Sequence, residues 1–394
     1  MSTTTTVILT LLSGLLVIYH HAVYPLILQW LQRKSERHGD DLANKPQLGT
    51  KNLPRISLLI PAYNEAQWIA DKIRNLAILN YPEDRLHIIV ACDGCSDDTV
   101  AIARQTAAQI ECRHLDIEVR NYPENRGKVA VINEVVEELN GELLALSDVS
   151  ALISIDALLI AAHYFRDPHV GVLSPHYRLL NPGSVGELSY WNYQSHMKAC
   201  EAALGATLGA HGAFYVLRRN LFTPLAADTI NDDFILPMNI VMQGFRAEYA
   251  ADIHALELEQ ANDNMDWQRR RRIGAGNCQQ LLRLKKLLLP RYRGIAFAFI
   301  SGKGLRVLMP FCMLIALFGS IYLAQHHWLF IPIALAQILL YQLALLQLVL
   351  KPKRQIPLLE SLAYLVRGHC ASLMGTLRYL AGFERGRWQS VKPD

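Results

Sequence analysis

The chain has 394 residues, a net charge of +4 and a hydrophobic fraction of 51%. That length predicts two or three structural units, and that apolar fraction is high for a soluble enzyme, with the excess at the two ends. Seven scattered cysteines, an odd number, argue against a disulfide scaffold and for free thiols.

Val7–Leu28 is an almost unbroken apolar stretch of about 22 residues, enough to cross a hydrocarbon core roughly 30 Å thick. A cleaved signal peptide would want a basic start and a small-residue cleavage site. MSTTTT has no basic residue, and Arg33, Lys34 and Arg37 follow the stretch instead. The expectation is an uncleaved anchor with its N-terminus outside and Arg33 onward in the cytoplasm. Lys34–Leu53 is polar and reads as a linker.

Ile56–Ile60 is a short, β-rich apolar run bounded by Pro61, which predicts a buried strand. Asn64 and Glu65 sit in the turn that follows. Trp68–Leu79 carries apolar residues at helical spacing, and Tyr81-Pro82 stops the helix, because the residue before proline avoids the α region. His87–Ala91 reads as a second buried strand running into Cys92-Asp93-Gly94. Strand, helix and strand in this order make a right-handed crossover in a parallel sheet, whose ligands bind beyond the carboxyl ends of the strands. Both polar clusters, Tyr63-Asn64-Glu65 and Asp93-Gly94, fall at that edge. There is no Gly-x-Gly-x-x-Gly and no Walker lysine loop. Asp93 then has two readings: an acceptor for a base or ribose, or an ordinary turn before a helix capped by Ser96-Asp97-Asp98. Cys92-x-x-Cys95 has no second pair, so a metal or redox role for it is the minor reading. The pairing of Pro61-Ala62-Tyr63-Asn64-Glu65 with Asp93-Gly94-Cys95-Ser96-Asp97-Asp98-Thr99 resembles the N-terminal signature of glycosyltransferase family 2. That family has the GT-A fold, which binds nucleoside-diphosphate sugars.

Further motifs follow in chain order. Thr99–Ile110 predicts a helix and His114–Val119 a strand. Lys128 opens the helix Val129–Leu139 against the helix dipole, a conflict that an anion at that N-terminus would remove. Family members carry a glycine-lysine here near the nucleotide. Glu142–Ser147 predicts a buried strand ending in Asp148-Val149-Ser150. A carboxylate there is costly unless paired or metal-bound. In the family this position holds Asp-x-Asp; Asp148 matches and Ser150 replaces the second acid. Gly171–Pro175 and Ala213–Leu217 read as strands, with a helix over Ser184–Leu204 between them. Gly205, Gly209 and Gly212 allow close backbone approach. By analogy an acceptor sits there, with His211 either touching it or serving the structure. Asp232 and Asp233 precede a helix, Phe234–Gln243, where acids suit the N-terminus. The family has an acidic pair here, followed eleven residues later by a glycine-aromatic turn. Gly244-Phe245 fits that spacing from Asp233, and Tyr249–His254 is the closing strand.

Trp267–Arg306 holds eleven Lys and Arg and no acid, which leaves the remainder at about −7. Such a patch suggests nucleic acid in general. Here it is interleaved with leucines and precedes an apolar pair, Val307–Leu323 and Leu329–Leu350, so a helix lying on anionic lipid is expected instead. Gln268-Arg269-Arg270-Arg271-Arg272 resembles the Q-x-x-R-W element of polymerising members, with Arg272 in the tryptophan's place. The apolar pair predicts a membrane hairpin with both ends inside. Pro357–Gly382 is expected to lie at the interface rather than span.

Taken together, the resemblance implies an α/β GT-A domain, a Rossmann-like mixed sheet with flanking helices, at 55–258. Around it are an anchor (1–32), a linker (33–54), a basic amphipathic segment (259–304), a transmembrane hairpin (305–350) and an interfacial tail (351–394). The implied reaction is inverting transfer from a UDP-sugar to a growing polysaccharide or lipid-linked saccharide at the inner face of the cytoplasmic membrane. Asp233, beside Asp232, would deprotonate the acceptor hydroxyl. Asp148 with Ser150 would hold Mg²⁺ or Mn²⁺. Ala62, Tyr63, Glu65, Asp93 and Lys128 would hold the nucleotide, Gln268, Arg271 and Arg272 would meet the leaving diphosphate, and His211 and Gly212 would face the acceptor. Three spans are few for a private polysaccharide channel, so a partner or a second copy would complete one. Two alternatives remain: transfer of one sugar to a polyprenyl phosphate, and a non-catalytic nucleotide-binding membrane receptor on the same fold.

Overall fold

The computed structural model describes residues 3–36, 52–350 and 356–384. Most of the predicted linker (37–51), the basic cluster at 351–354 and the end of the tail (385–394) lie outside the described residues.

The chain opens with α1 (Thr3–Ile18) and α2 (Tyr24–Glu36), joined through a π-helical turn, Tyr19–Val23. Then come β1 (Ile56–Ala62), α3 (Ile69–Ala77), β2 (Leu86–Asp93), α4 (Thr99–Ala107), β3 (Asp116–Tyr122), α5 (Lys128–Glu138), β4 (Leu143–Ser147) and β5 (Ala151–Ile153). Next are α6 (Ala157–Tyr164), β6 (Val170–Leu179), α7 (Val185–Ala202), β7 (Phe214–Arg218), α8 (Asp232–Met242) and β8 (Arg246–Glu257). The chain ends with α9 (Asp263–Arg283), α10 (Gly294–Ala298), a second π turn (Phe299–Gly304), α11 (Leu305–Ala324), α12 (Phe330–Leu350) and α13 (Pro357–Leu380).

Contacts divide the described chain into two units. The first is built from Gln32–Asn181 and Ser195–Gln260 and holds the sheet. Its eight strands run β3-β2-β1-β4-β7-β6-β8-β5. β1 is buried at every residue, as expected of a strand covered on both faces. It pairs in parallel with β2 from Ile56↔Leu86 to Ala62↔Cys92, and with β4 from Ile56↔Leu143 to Leu59↔Leu146. β7 runs antiparallel to β4, with Ser147 opposite Phe214. This register brings four chain segments to one rim: the turn after Ala62, the loop after Asp93, Asp148, and the approach to β7 through Gly212.

The sheet departs from the sequence expectation at β3 and β6, which run on to Tyr122 and Leu179, and most at β5 and β8. β5 is only three residues, too short to register as a strand in sequence, and is held by pairing with β8. β8 is twelve residues long, because its alternating buried and half-exposed pattern continues on both sides of the predicted core.

The second unit is built from Met1–Leu31, Pro182–Gln194 and Ala261–Glu384. Among the described residues, three helical segments are long and apolar enough to cross a membrane: Thr3–Lys34, Gly294–Ala324 and Phe330–Leu350. α9 and α13 cross at backbone contact. A Cβ on Gly274 would lie 2.6 Å from Ser372 Cα, and one on Gly375 would lie 2.0 Å from Arg271 O. Small residues permit that approach. In α13, part of the segment expected to lie at the interface, three charged side chains are bonded within the protein. Glu360 accepts the Val185 N–H at 3.2 Å, Arg367 pairs with Asp263 at 2.9 Å, and Arg378 pairs with Glu384 at 2.6 Å. α9 likewise has a buried second half, Gly274–Gln280. The exposed apolar residues of the basic stretch, Leu282, Leu288 and Leu289, lie beyond or at its end. All seven cysteines are free thiols.

Candidate active site

The first acid of the rim is spent on a loop. Asp93 is fully buried at the end of β2. Its carboxylate accepts the backbone N–H of Gly127 at 2.7 Å and that of Arg126 at 3.0 Å. Asp93 therefore folds the Arg126–Lys128 segment against β2. Gly94, at φ +67°, turns the chain directly beneath Asn125, where a Cβ would lie 2.2 Å from the Asn125 nitrogen. Of the two sequence readings of Asp93, the geometry makes it first a structural acceptor that sets this loop.

The loop delivers Lys128. Its Nζ donates to Asp148 Oδ1 at 2.7 Å and lies 3.6 Å from Asp232 Oδ2. The anion that its helix-start position calls for is thus supplied by carboxylates of the protein. Burial works against the ammonium charge, but Asp148, Asp232 and Asp233 outweigh it and hold the lysine above its ordinary range. The cost of Asp148 at a strand end is met by the same pair, not by metal alone.

α8 begins at Asp232, two residues earlier than its apolar pattern suggests, so both acids occupy its first turn. Asp233 is tied at both ends to the glycine loop. Its carboxylate accepts the Gly212 N–H at 3.1 Å and its carbonyl accepts the Ala210 N–H at 2.8 Å. Pro237 explains the second bond. It stands four residues on in α8 and has no N–H, so the Asp233 carbonyl loses its helical donor and is free for the loop. Burial, then the Asp232 charge, push the Asp233 carboxyl up to about 6, against the pull of Lys128 and Lys198.

Gly212 is the floor of the cluster. A Cβ placed on it would lie 2.9 Å from Asp148 Oδ2 and 3.7 Å from Asp233 Oδ2, so both carboxylates border one small space. Gly212→Ala is expected to push Asp148 aside and lower turnover by roughly a hundredfold with the fold retained. Turnover measured beside a thermal melt checks this.

Several residues of the site carry no sequence signal. Lys198 donates to three successive carbonyls, Leu208, Gly209 and Ala210, at 3.2, 2.7 and 3.2 Å. It wraps the loop that carries Gly212. Tyr215 on β7 is fully buried, and its hydroxyl and Asp232 Oδ2 have no hydrogen-bond partner among the described residues. Burial and the charges of Asp232, Asp233 and Asp148 push that phenol well above its usual value. Lys72 on α3 is also fully buried. It donates to Ser147 Oγ at 2.6 Å and Ala151 O at 2.5 Å, clamping both ends of the Asp148-Val149-Ser150 turn. Burial pulls its pKa down to about 7. Each of these acts through tertiary contacts that spacing alone does not encode.

The other predicted residues fall as follows. Ala62 ends β1 and is buried, and its carbonyl lies 3.6 Å from Cys95 Sγ. Tyr63 is half-buried in the following turn. The Glu65 N–H donates to Thr99 Oγ1 at 2.8 Å. Burial, then Glu259, Asp148 and Glu257, push the Glu65 carboxyl up to about 8. Ser150 is half-buried, and its carbonyl accepts the Leu258 N–H at 2.9 Å. His211 stacks on Tyr177 at 3.6 Å, and its Nδ1 accepts the Ala213 N–H at 3.2 Å, so the ring is fixed as a wall of the loop. Gln268, Arg271 and Arg272 are on α9, in the helical unit. Gln268 donates to Asn264 at 3.2 Å, Arg271 lies 3.3 Å from Glu384, and Arg272 is exposed. Their neighbour Arg270 is sandwiched between Tyr190 and Tyr364, 4.5 and 3.7 Å from the ring centres, and pairs with Asp266.

A rim with three clustered acids and a buried lysine is one line of argument, and comparison with known proteins is another. A family model described as "Glycosyltransferase like family 2" matches residues 54–275. The chain belongs to glycosyltransferase family 2. Within this family, the poly-beta-1,6-N-acetyl-D-glucosamine synthase of Staphylococcus aureus (strain COL) is 24% identical over 250 residues, 61% of this chain and 59% of that one. The enzyme of the same name from Staphylococcus epidermidis is 25% identical over 236 residues, 58% and 56% of the two chains. The chain thus spans less than two thirds of the length of the curated relatives it matches. Among solved structures, the mannosyltransferase PcManGT from Pyrobaculum calidifontis, in complex with GDP-Man and Mn²⁺, aligns with a TM-score of 0.71 at 22% identity. That alignment covers 94% of this chain and 99% of the other and shows a shared GT-A fold.

Proposed function

We propose that this family 2 glycosyltransferase is a multi-pass protein of the cytoplasmic membrane that transfers a sugar from a UDP-sugar to a growing polysaccharide or lipid-linked saccharide. The observation that carries the reading is the convergence of Asp148, Asp233 and Lys128 on the space above Gly212. The three apolar segments support the membrane placement. The Staphylococcus synthases are named for an N-acetylglucosamine polymer and favour a saccharide acceptor.

Asp233 is the general base. Its carboxylate is held by the Gly212 N–H and faces the space between Asp148 and the loop. A carboxyl titrating at about 6 is matched to proton transfer near neutral pH. Below about pH 6 it holds its own proton and cannot take one from the acceptor. Transfer is therefore expected to fall as pH drops through about 6, read from a pH–rate profile at saturating donor.

Asp148, half-exposed and sharing the Lys128 ammonium with Asp232, is the residue that would hold a divalent cation. Such an ion, Mg²⁺ or Mn²⁺, would neutralise the donor's diphosphate when bound. Among the described residues no three His, Cys, Asp or Glu side chains group to hold a metal alone. Asp148 therefore suits an ion that keeps water and phosphate oxygens in its shell, as Mg²⁺ does. Chelation by EDTA is expected to stop transfer and added Mg²⁺ or Mn²⁺ to restore it; transfer indifferent to chelation would remove the metal from the reading. Nucleotide release from a panel of UDP-sugars with GDP-mannose as a further arm tests the whole reading, names the donor, and separates an enzyme from a receptor.

A further inference from the structure

The helical unit carries a cluster that the transfer reaction does not use. α1 is mostly apolar from Val7 to Ile18 and ends in the π turn that bears His20 and His21. α11 begins directly after the π turn Phe299–Gly304 and is apolar from Val307. The two turns are bonded to each other. His20 Nδ1 donates to Ser301 O at 2.9 Å, and Tyr19 Oη and Ser301 Oγ are 2.9 Å apart. The two π turns therefore meet at one level, and Arg306, directly before the apolar run Val307–Leu323, marks that level as a membrane edge. π turns are rare and gather at functional sites.

Two more groups reach this level. His369 of α13 places its Nε2 3.2 Å from His21 Nε2. Arg306 stands in the first turn of α11, and among the described residues no carboxylate pairs with it; both guanidinium Nη atoms reach Gln194 Oε1 only at 3.4 Å. A guanidinium without a counter-charge, beside three imidazoles that can donate, is costly at the edge of an apolar slab unless an anion joins it. The anion at that depth is the phosphoryl group of a lipid, and basic pockets between spans recognise such headgroups.

We propose that His20, His21, His369 and Arg306 form a binding site for the phosphoryl headgroup of a lipid. Two sources share this chemistry: a polyprenyl monophosphate, which would be the acceptor or its carrier, and an anionic phospholipid, which would be a fixed part of the unit. The inference rests on the membrane placement in the reading above but not on its transfer chemistry. Its test reads ligand retention, so a failed transferase assay and a failed lipid site are distinguishable.

The test is native mass spectrometry of the full purified chain in detergent, titrated separately with a polyprenyl monophosphate, phosphatidylglycerol and inorganic phosphate. Wild type is expected to retain at least one of the two lipids. Arg306→Gln is expected to weaken that retention about tenfold, the loss of one charge-assisted pair. Arg74→Gln, on the sheet unit, is expected to leave it unchanged. Should Arg306→Gln fail to fold, His369→Gln replaces it with the same expectation. Stronger retention of the polyprenyl phosphate assigns the site to the acceptor; equal retention of both assigns it to bilayer lipid. Either result sustains the proposal. Retention of neither lipid, or lipid binding that a folded cluster variant keeps at wild-type strength, overturns it.

Discussion

Asp233→Asn is expected to lower sugar transfer by about 10³-fold, within the range for loss of a general base, while leaving donor binding nearly intact. Asparagine keeps the shape of the side chain and an oxygen for the Gly212 N–H, so the loop stays in place. It cannot take a proton. The same substitution is expected to raise the melting temperature near neutral pH. The folded carboxyl titrates at about 6, above its value of 3.8 in an unfolded chain. Between those pH values the folded state holds more protons, so stability falls as pH rises through the window, and above it the full cost remains. Asparagine removes that cost. Single-turnover transfer, donor titration and melts at pH 5 and 7.5 check all three parts. Near-normal transfer would take Asp233 out of the mechanism.

Lys128→Met is expected to cost more in stability than any other change at the rim. It strips two carboxylates of their cation, and Asp232 is almost wholly buried. Breaking a buried pair from one side costs about 3–5 kcal/mol. Asp148 is 35% exposed, so water screens part of that and the low end, about 3 kcal/mol, applies. Turnover is expected to fall with it, because Asp148 loses the bond that aims it. Lys128→Met with Asp148→Asn is expected to recover part of the stability and none of the activity. Melting temperatures of the two variants, in the same detergent, decide this.

Much of this site was legible before any coordinates. The apolar runs of β1, β2 and β4, each followed at once by Glu65, Asp93 or Asp148, marked a parallel sheet and its working rim. Asp148 at a strand end and the lysine at a helix start read as anomalies that need partners. What spacing did not show was which partner each would take. Lys128 opposes its own helix dipole because Asp148 and Asp232 meet it across the rim. Asp93 looked like a ligand acceptor, yet a fully buried carboxylate facing two backbone N–H groups is first a loop anchor. Lys72 sits among the apolar positions of α3, and nothing local reveals a carbonyl and a hydroxyl waiting on the next layer. For α13 the pattern reads as an interfacial helix, because charge on an amphipathic helix is spaced alike whether it meets solvent or another helix.

Pro237 leaves a mark four residues upstream of itself. By withdrawing a donor from the Asp233 carbonyl, it fastens this residue, the proposed base, to the loop at Ala210 as well as at Gly212. Base and loop then travel as one body. An ill-fitting alcohol that shoulders the loop outward also drags the proton acceptor out of reach, so the wrong substrate is punished in the chemical step itself. Discrimination at this end of the enzyme should therefore surface in kcat, even among compounds that occupy the protein equally well.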